Sequence, residues 1–123
     1  MSADALIDGE CITLVSMYAA WEGGRPGPIY ADASAHRLLS DLSDIVNDAR
    51  SHRIIAAGDL NILHRYGDYG DSYWAARYAT VFDRAEAMGL QFVGPQAPHG
   101  RQATPRPAEL PKDSLNVPTY HTR

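Results

Sequence analysis

The chain has a single cysteine, Cys11, among 123 residues, so no disulfide can form within it. One unpaired cysteine fits a reducing compartment. Cys11 lies in an apolar, strand-like stretch, which favours an inert thiol over a nucleophile. Basic residues are in deficit: 11 Lys and Arg stand against 15 Asp and Glu, giving a formal net charge of −4. That balance provides no basic footprint for gripping a nucleic-acid backbone, although a local basic groove can coexist with it. No apolar run reaches the roughly 20 residues of a membrane span, and Met1-Ser2-Ala3-Asp4 has none of the regions of a signal peptide. The expectation is a soluble, cytoplasmic protein without a membrane partner. The phosphate-binding P-loop, paired Cys-x-x-Cys and His-Glu-x-x-His are missing as well, which removes the common nucleotide and zinc signatures.

The rest of the composition is that of a globular domain, with 45% apolar and 21% charged residues. Asp8-Gly9 is a turn signal. Residues 12–19 follow, rich in β-branched and aromatic side chains, and read as a strand. Ile12, Leu14 and Tyr18 fall on one face and Val15 and Met17 on the other, so burial on both faces is expected. After a Gly- and Pro-rich loop over 22–28, the spacing of Leu38, Leu39, Leu42, Ile45, Val46 and Ala49 predicts an amphipathic helix. Ser34 or Asp32 is its expected cap, and Arg50, His52 and Arg53 suit its carbonyl end.

Residues 54–57 form a short apolar run ending at Gly58, expected as a central buried strand. The order strand, helix, strand implies a crossover unit. A loop rich in Gly, Asp and Tyr covers 62–72. A second helix is expected to place Trp74, Tyr78, Val81, Phe82, Ala85 and Met88 on one face, with Asp71 or Ser72 as its cap and Gly89 ending it. Residues 90–93 read as a brief strand, and 94–118 as a Pro-rich loop. Both ends of the sequence read as cuts through a domain.

The chemistry centres on Gly58-Asp59-Leu60-Asn61. In an open α/β sheet, ligands bind outside the carboxyl ends of the strands. A carboxylate at Asp59 can orient or deprotonate a water. An amide at Asn61 points the same way if the pleat persists, and can donate to a phosphate oxygen. The competing reading is a turn, because Asp and Asn side chains bond nearby backbone at strand ends. Tyr18 ends the earlier strand; its hydroxyl either contacts a phosphate or is satisfied inside the core. His64 and Arg65 either line a pocket or belong to a solvated loop. Trp74 and Tyr78 at helical spacing fit a core better than base stacking. Asp68 and Asp71 make a weak metal pair, and helix capping by Asp71 explains more. Thr119 and His121 have no assigned role.

Three stretches together resemble the endonuclease/exonuclease/phosphatase superfamily, with its DNase I-like fold. Ile12-Thr13-Leu14-Val15-Ser16-Met17-Tyr18 resembles that family's strand ending in an active-site tyrosine. Ile54-Ile55-Ala56-Ala57-Gly58-Asp59-Leu60-Asn61 resembles its Gly-Asp-x-Asn strand. Val117-Pro118-Thr119-Tyr120-His121 resembles the Pro-Thr segment before a later Asp-containing strand. The likeness covers most of the chain, from about Gly9 onward.

The resemblance implies part of a layered α/β sandwich over residues 1–123, and a Mg²⁺-dependent phosphoesterase acting on phosphodiesters or phosphomonoesters. Asp59 would orient or activate the attacking water. Asn61 would help hold the phosphate and that aspartate, and Tyr18 would contact the phosphate. Mg²⁺ would neutralise phosphate charge. The family's upstream asparagine and metal-binding glutamate, and its Ser-Asp-His segment, have no counterpart in this sequence. Glu10 and Glu22 lie outside the glutamate's context, so no metal ligand is assigned, and His121 is not in a Ser-Asp-His. The expectation is therefore an internal fragment, inactive alone. Two other readings stand beside it: a non-catalytic interaction module that self-associates or binds a partner through exposed sheet edges, and an unrelated small α/β protein in which 58–61 is only a turn.

Overall fold

The computed structural model describes residues 1–20, 30–48, 53–64 and 72–94. The chain divides into two compact units, Met1–Ile62 and Leu63–Arg123. The described part is a small α/β protein, with a three-stranded mixed sheet and two helices.

The first unit holds β1 (Ser2–Ile7), β2 (Glu10–Tyr18), α1 (Ala31–Asp48) and β3 (Arg53–Asp59). The sheet order is β1-β2-β3; β1 runs antiparallel to β2, and β2 parallel to β3. Asp8 and Gly9 join the first two strands with Ile7 opposite Glu10. Their φ values of 52° and 83° meet the demand of a two-residue turn of type I′, in which both central residues take positive φ. The turn signal thus marks a hairpin whose first strand was not anticipated. Alternation of Ala and Asp with few β-branched residues hides β1 from a propensity reading. The expected crossover is present: β2, α1 and β3 form it, with β2 and β3 in parallel register from Ile12↔Arg53 to Tyr18↔Asp59.

The sheet is covered on one face only within this unit. Thr13 and Val15 are buried and Met17 half-buried, while Leu14 is 40% and Tyr18 67% exposed. β3 repeats the pattern, with Ile54 and Ala56 half-buried and Ile55 51% exposed. This corrects two expectations, that β2 is buried on both faces and that β3 is a central buried strand. Among the described residues of this unit, α1 is the helix that packs on the sheet, so one set of alternating side chains is shielded and the other is not. β3 is at the end of the strand order.

On the covered face, the hydroxyl of buried Thr13 donates to Asp4 Oδ1 at 2.8 Å. Asp4 is its register partner on β1, so the hairpin satisfies a group that would be costly to bury alone. Ala31, Ala35, Leu39 and Leu42 of α1 are buried with Val15 and Ala19. Their spacing of four, four and three forms one stripe on the helix. Small residues in its first turns allow close approach to the sheet. Leu39 and Leu42 supply much of the apolar burial, worth about 1.5–3 kcal/mol each.

The expected caps of α1 are displaced. The helix begins at Ala31, so Asp32 and Ser34 lie inside its first turns, and Tyr30 precedes it with its carbonyl accepting from Ser34 N. Asp32 sits where a negative charge suits the helix dipole. Arg53 opens β3 instead of closing α1, and pairs with Glu10 at 3.2 Å. Arg50 and His52 lie outside the described residues.

The second unit holds α2 (Ser72–Ala87). Its predicted face is observed: Val81 is buried, and Trp74, Tyr78, Phe82, Ala85 and Met88 are half-buried. Gly89 (φ 84°) ends it in a Schellman arrangement, with Gly89 N donating to Glu86 O at 2.8 Å and Leu90 N to Ala85 O at 3.0 Å. No strand forms over 90–93, in contrast to the expectation. Phe92 instead stacks on His64 at a centroid distance of 4.5 Å and meets Phe82 edge-on at 5.1 Å.

Candidate functional site

β2 and β3 are parallel and end together, so their carboxyl ends make one edge. Tyr18 is the register partner of Asp59 at that edge. Partners in a parallel pair share a face of the pleat, and both residues are exposed. Beyond the last pair, Ala19 N donates to the Asp59 carbonyl at 2.9 Å.

Gly58 makes the approach possible. Its φ is 153°, and a Cβ there would run into the Met17 carbonyl of the adjacent strand. Only glycine lets β3 turn out of its pleat while staying paired with β2. The steric reason for glycine at this position lies across the strand pair, in the Met17 carbonyl.

Asp59 Oδ1 accepts from Asn61 N at 2.9 Å, closing an Asx turn. Asn61 takes φ 50°, the left-handed region that asparagine tolerates better than most residues. The pleat therefore stops at Asp59, and Asn61 is not aligned with it as an extended strand would require. Its Nδ2 instead donates to the Ala19 carbonyl at 2.8 Å. Ala20 N donates to Ser34 Oγ of α1 at 2.9 Å. Ala19, fully buried, is held on one side by β3 and Asn61, and its successor by α1.

The edge thus combines a turn with a chemically usable surface. Asn61 N–H fixes the Asp59 carboxylate through Oδ1, leaving Oδ2 without a bond to any described group. Tyr18 is not a core tyrosine: its ring is exposed, and its hydroxyl bonds no described group. A carboxylate oxygen held in one orientation can orient a water, and the phenol O–H of its register partner can donate to an anionic oxygen. The resemblance implies Mg²⁺ here. Among the described residues no three His, Cys, Asp or Glu side chains gather as a cation site, so these residues do not fit a complete one.

Other sequence candidates fall elsewhere. His64 packs in the aromatic cluster of the second unit. Trp74 and Tyr78 are 6.1 Å apart between ring centroids on the half-buried face of α2. Glu10 is committed to Arg53. Cys11 is exposed in β2. Glu22, Arg65, Asp68, Asp71, Thr119, His121 and the Pro-rich stretch from 95 onward lie outside the described residues. Ser34 and Ala19 were not foreseen as parts of the edge. Their contacts join segments distant in the chain, and Ser34 carried the signal of a helix cap only.

Among the described residues, no helix is long and apolar enough to cross a membrane. Comparison of the chain with family models, with curated proteins and with solved structures returned no match.

Proposed function

We propose that the edge formed by Tyr18, Asp59 and Asn61 is one wall of a phosphoester-hydrolysing site of the DNase I-like kind, and that this chain by itself turns over little or no substrate. One observation carries the reading. Residues from two separate segments, picked out by their resemblance to a phosphoesterase family, meet at one sheet edge with Tyr18 and Asp59 in register on the uncovered face. In this reading Asp59 Oδ2 orients a water toward phosphorus. The Tyr18 hydroxyl donates to a non-bridging oxygen. Asn61 holds Asp59 through its backbone N–H and the two strand ends through its amide. The expected inactivity rests on the family's metal-binding glutamate and Ser-Asp-His segment, which have no counterpart in this sequence. The substrate is a phosphate ester; the net charge of −4 does not favour nucleic acid.

The test is turnover of bis(p-nitrophenyl) phosphate and p-nitrophenyl phosphate with Mg²⁺, beside an amide-shift titration with dimethyl phosphate. Baseline turnover with shifts at the edge is expected. Robust turnover that disappears in Asp59→Ala would overturn the inactivity, and a silent edge would overturn the site.

The uncovered sheet face favours a second reading, a non-catalytic interaction module. Ile7, Leu14 and Ile55 present exposed apolar side chains on one face. Sedimentation discriminates: a folded, dispersed dimer supports the module, and aggregation supports the fragment.

A further inference from the structure

We infer that Ser34 is a positioning residue that sets the geometry of the Tyr18–Asp59–Asn61 edge from the first turns of α1; its importance for phosphate recognition rests on the reading above. The argument starts at Ala19 and Ala20, the two residues that follow Tyr18. The Ala19 N–H goes to the Asp59 carbonyl at 2.9 Å, and the Ala19 carbonyl receives Asn61 Nδ2 at 2.8 Å. Both bonds tie β2 to β3. The next N–H, that of Ala20, goes to Ser34 Oγ at 2.9 Å and ties the same peptide run to the helix. Ala19 is fully buried between these ties.

The consequence is geometric. The Ala19 carbonyl belongs to the peptide group that carries the Ala20 N–H. Asn61 and Ser34 therefore hold the two polar ends of one peptide plane, Asn61 at the oxygen and Ser34 at the nitrogen. A planar peptide cannot rotate at one end alone. Fixing the nitrogen end from α1 fixes where the oxygen end meets Asn61. Asn61 in turn holds the Asp59 carboxylate through its own N–H. Tyr18, the residue before this plane, has its exit direction set by it.

Ser34 is not needed for the helix. It lies past the first turn, where alanine is the better helix former. Ser34→Ala should thus leave α1 intact while releasing the Ala20 N–H, and Ser34→Thr retains a hydroxyl that can accept it.

The experiment compares wild type, Ser34→Ala and Ser34→Thr in the full chain by heteronuclear NMR, first without ligand and then with dimethyl phosphate. Without ligand, Ser34→Ala should move the Asn61 side-chain amide resonances and speed Ala20 amide exchange by about threefold to tenfold, the range for loss of one such bond. Ser34→Thr should restore both. With dimethyl phosphate, the shifts at Tyr18 and Asp59 should weaken in Ser34→Ala and recover in Ser34→Thr, with both variants still folded. An unmoved Asn61 amide in folded Ser34→Ala overturns the inference. So does a loss that threonine fails to restore. If wild type does not respond to dimethyl phosphate, the phosphoesterase reading fails, while the ligand-free spectra still decide the role of Ser34.

Discussion

Asn61 Nδ2 and the Ala19 carbonyl, 42 positions apart in the chain, meet at 2.8 Å and close the ends of β2 and β3 against each other. The bond gives Asn61 a structural duty besides any chemical one. Asn61→Ala should destabilise the chain by about 1 kcal/mol for the lost bond. A further cost of about 1 kcal/mol should follow from the left-handed backbone. Asn61→Gly should incur mainly the first cost. Urea unfolding of the two variants checks the difference; equal costs would contradict it.

Gly58 is the next point of constraint. Gly58→Ala places a methyl group against the Met17 carbonyl and must push β3 from β2. A loss of about 1–3 kcal/mol is expected, the scale of backbone strain that nothing relieves. Gly9, with open space around its Cβ position, should show only the turn penalty when replaced by alanine. Thermal unfolding should rank Gly58→Ala as the more damaging of the two.

Asp59 combines the turn with the proposed chemistry, and the two are separable. Asp59→Asn keeps an Oδ1 acceptor for Asn61 N–H, so stability should change by less than about 0.5 kcal/mol. Asp59→Ala removes that acceptor and should cost about 1 kcal/mol. Loss of the negative charge in Asp59→Asn should also strengthen dimethyl phosphate binding in metal-free buffer, because like charges no longer repel. Unchanged affinity would place the phosphate away from Asp59.

The uncovered face makes its own prediction. Leu14→Thr and Ile55→Thr place β-branched threonine at exposed strand positions and should change stability by less than about 1 kcal/mol. Leu42→Ala, by contrast, empties a fully packed position of α1 and should cost about 2–5 kcal/mol. Sedimentation of the two threonine variants should show less self-association than wild type. An unchanged distribution would mean that this face is not the contact.

How much was legible in the sequence differs by element. Asp8-Gly9 announced its turn because positive φ at two successive positions selects those residues. The stripe of α1 and the glycine stop of α2 were legible for the same kind of local reason. Burial of β2 was not, because Ile12 and Leu14 are apolar whether or not anything lies over them. The brief strand at 90–93 failed because a strand needs a partner, and Phe92 found an aromatic one. At the candidate edge, Tyr18 and Asp59 were each legible as strand ends, and the parallel pairing of β2 with β3 brings them together. The turn of Asn61 toward Ala19, and the hold of Ser34 on Ala20, depend on contacts that no local pattern encodes.

The most direct measurement of the central claim is an amide-shift titration of the full chain with dimethyl phosphate in Mg²⁺ buffer. The proposed site requires saturable shifts concentrated at Tyr18, Ala19, Asp59 and Asn61, weakened by Tyr18→Phe without loss of folding. Shifts that lie elsewhere, or an edge that stays silent up to saturating ligand, would contradict it and leave residues 58–61 as a turn.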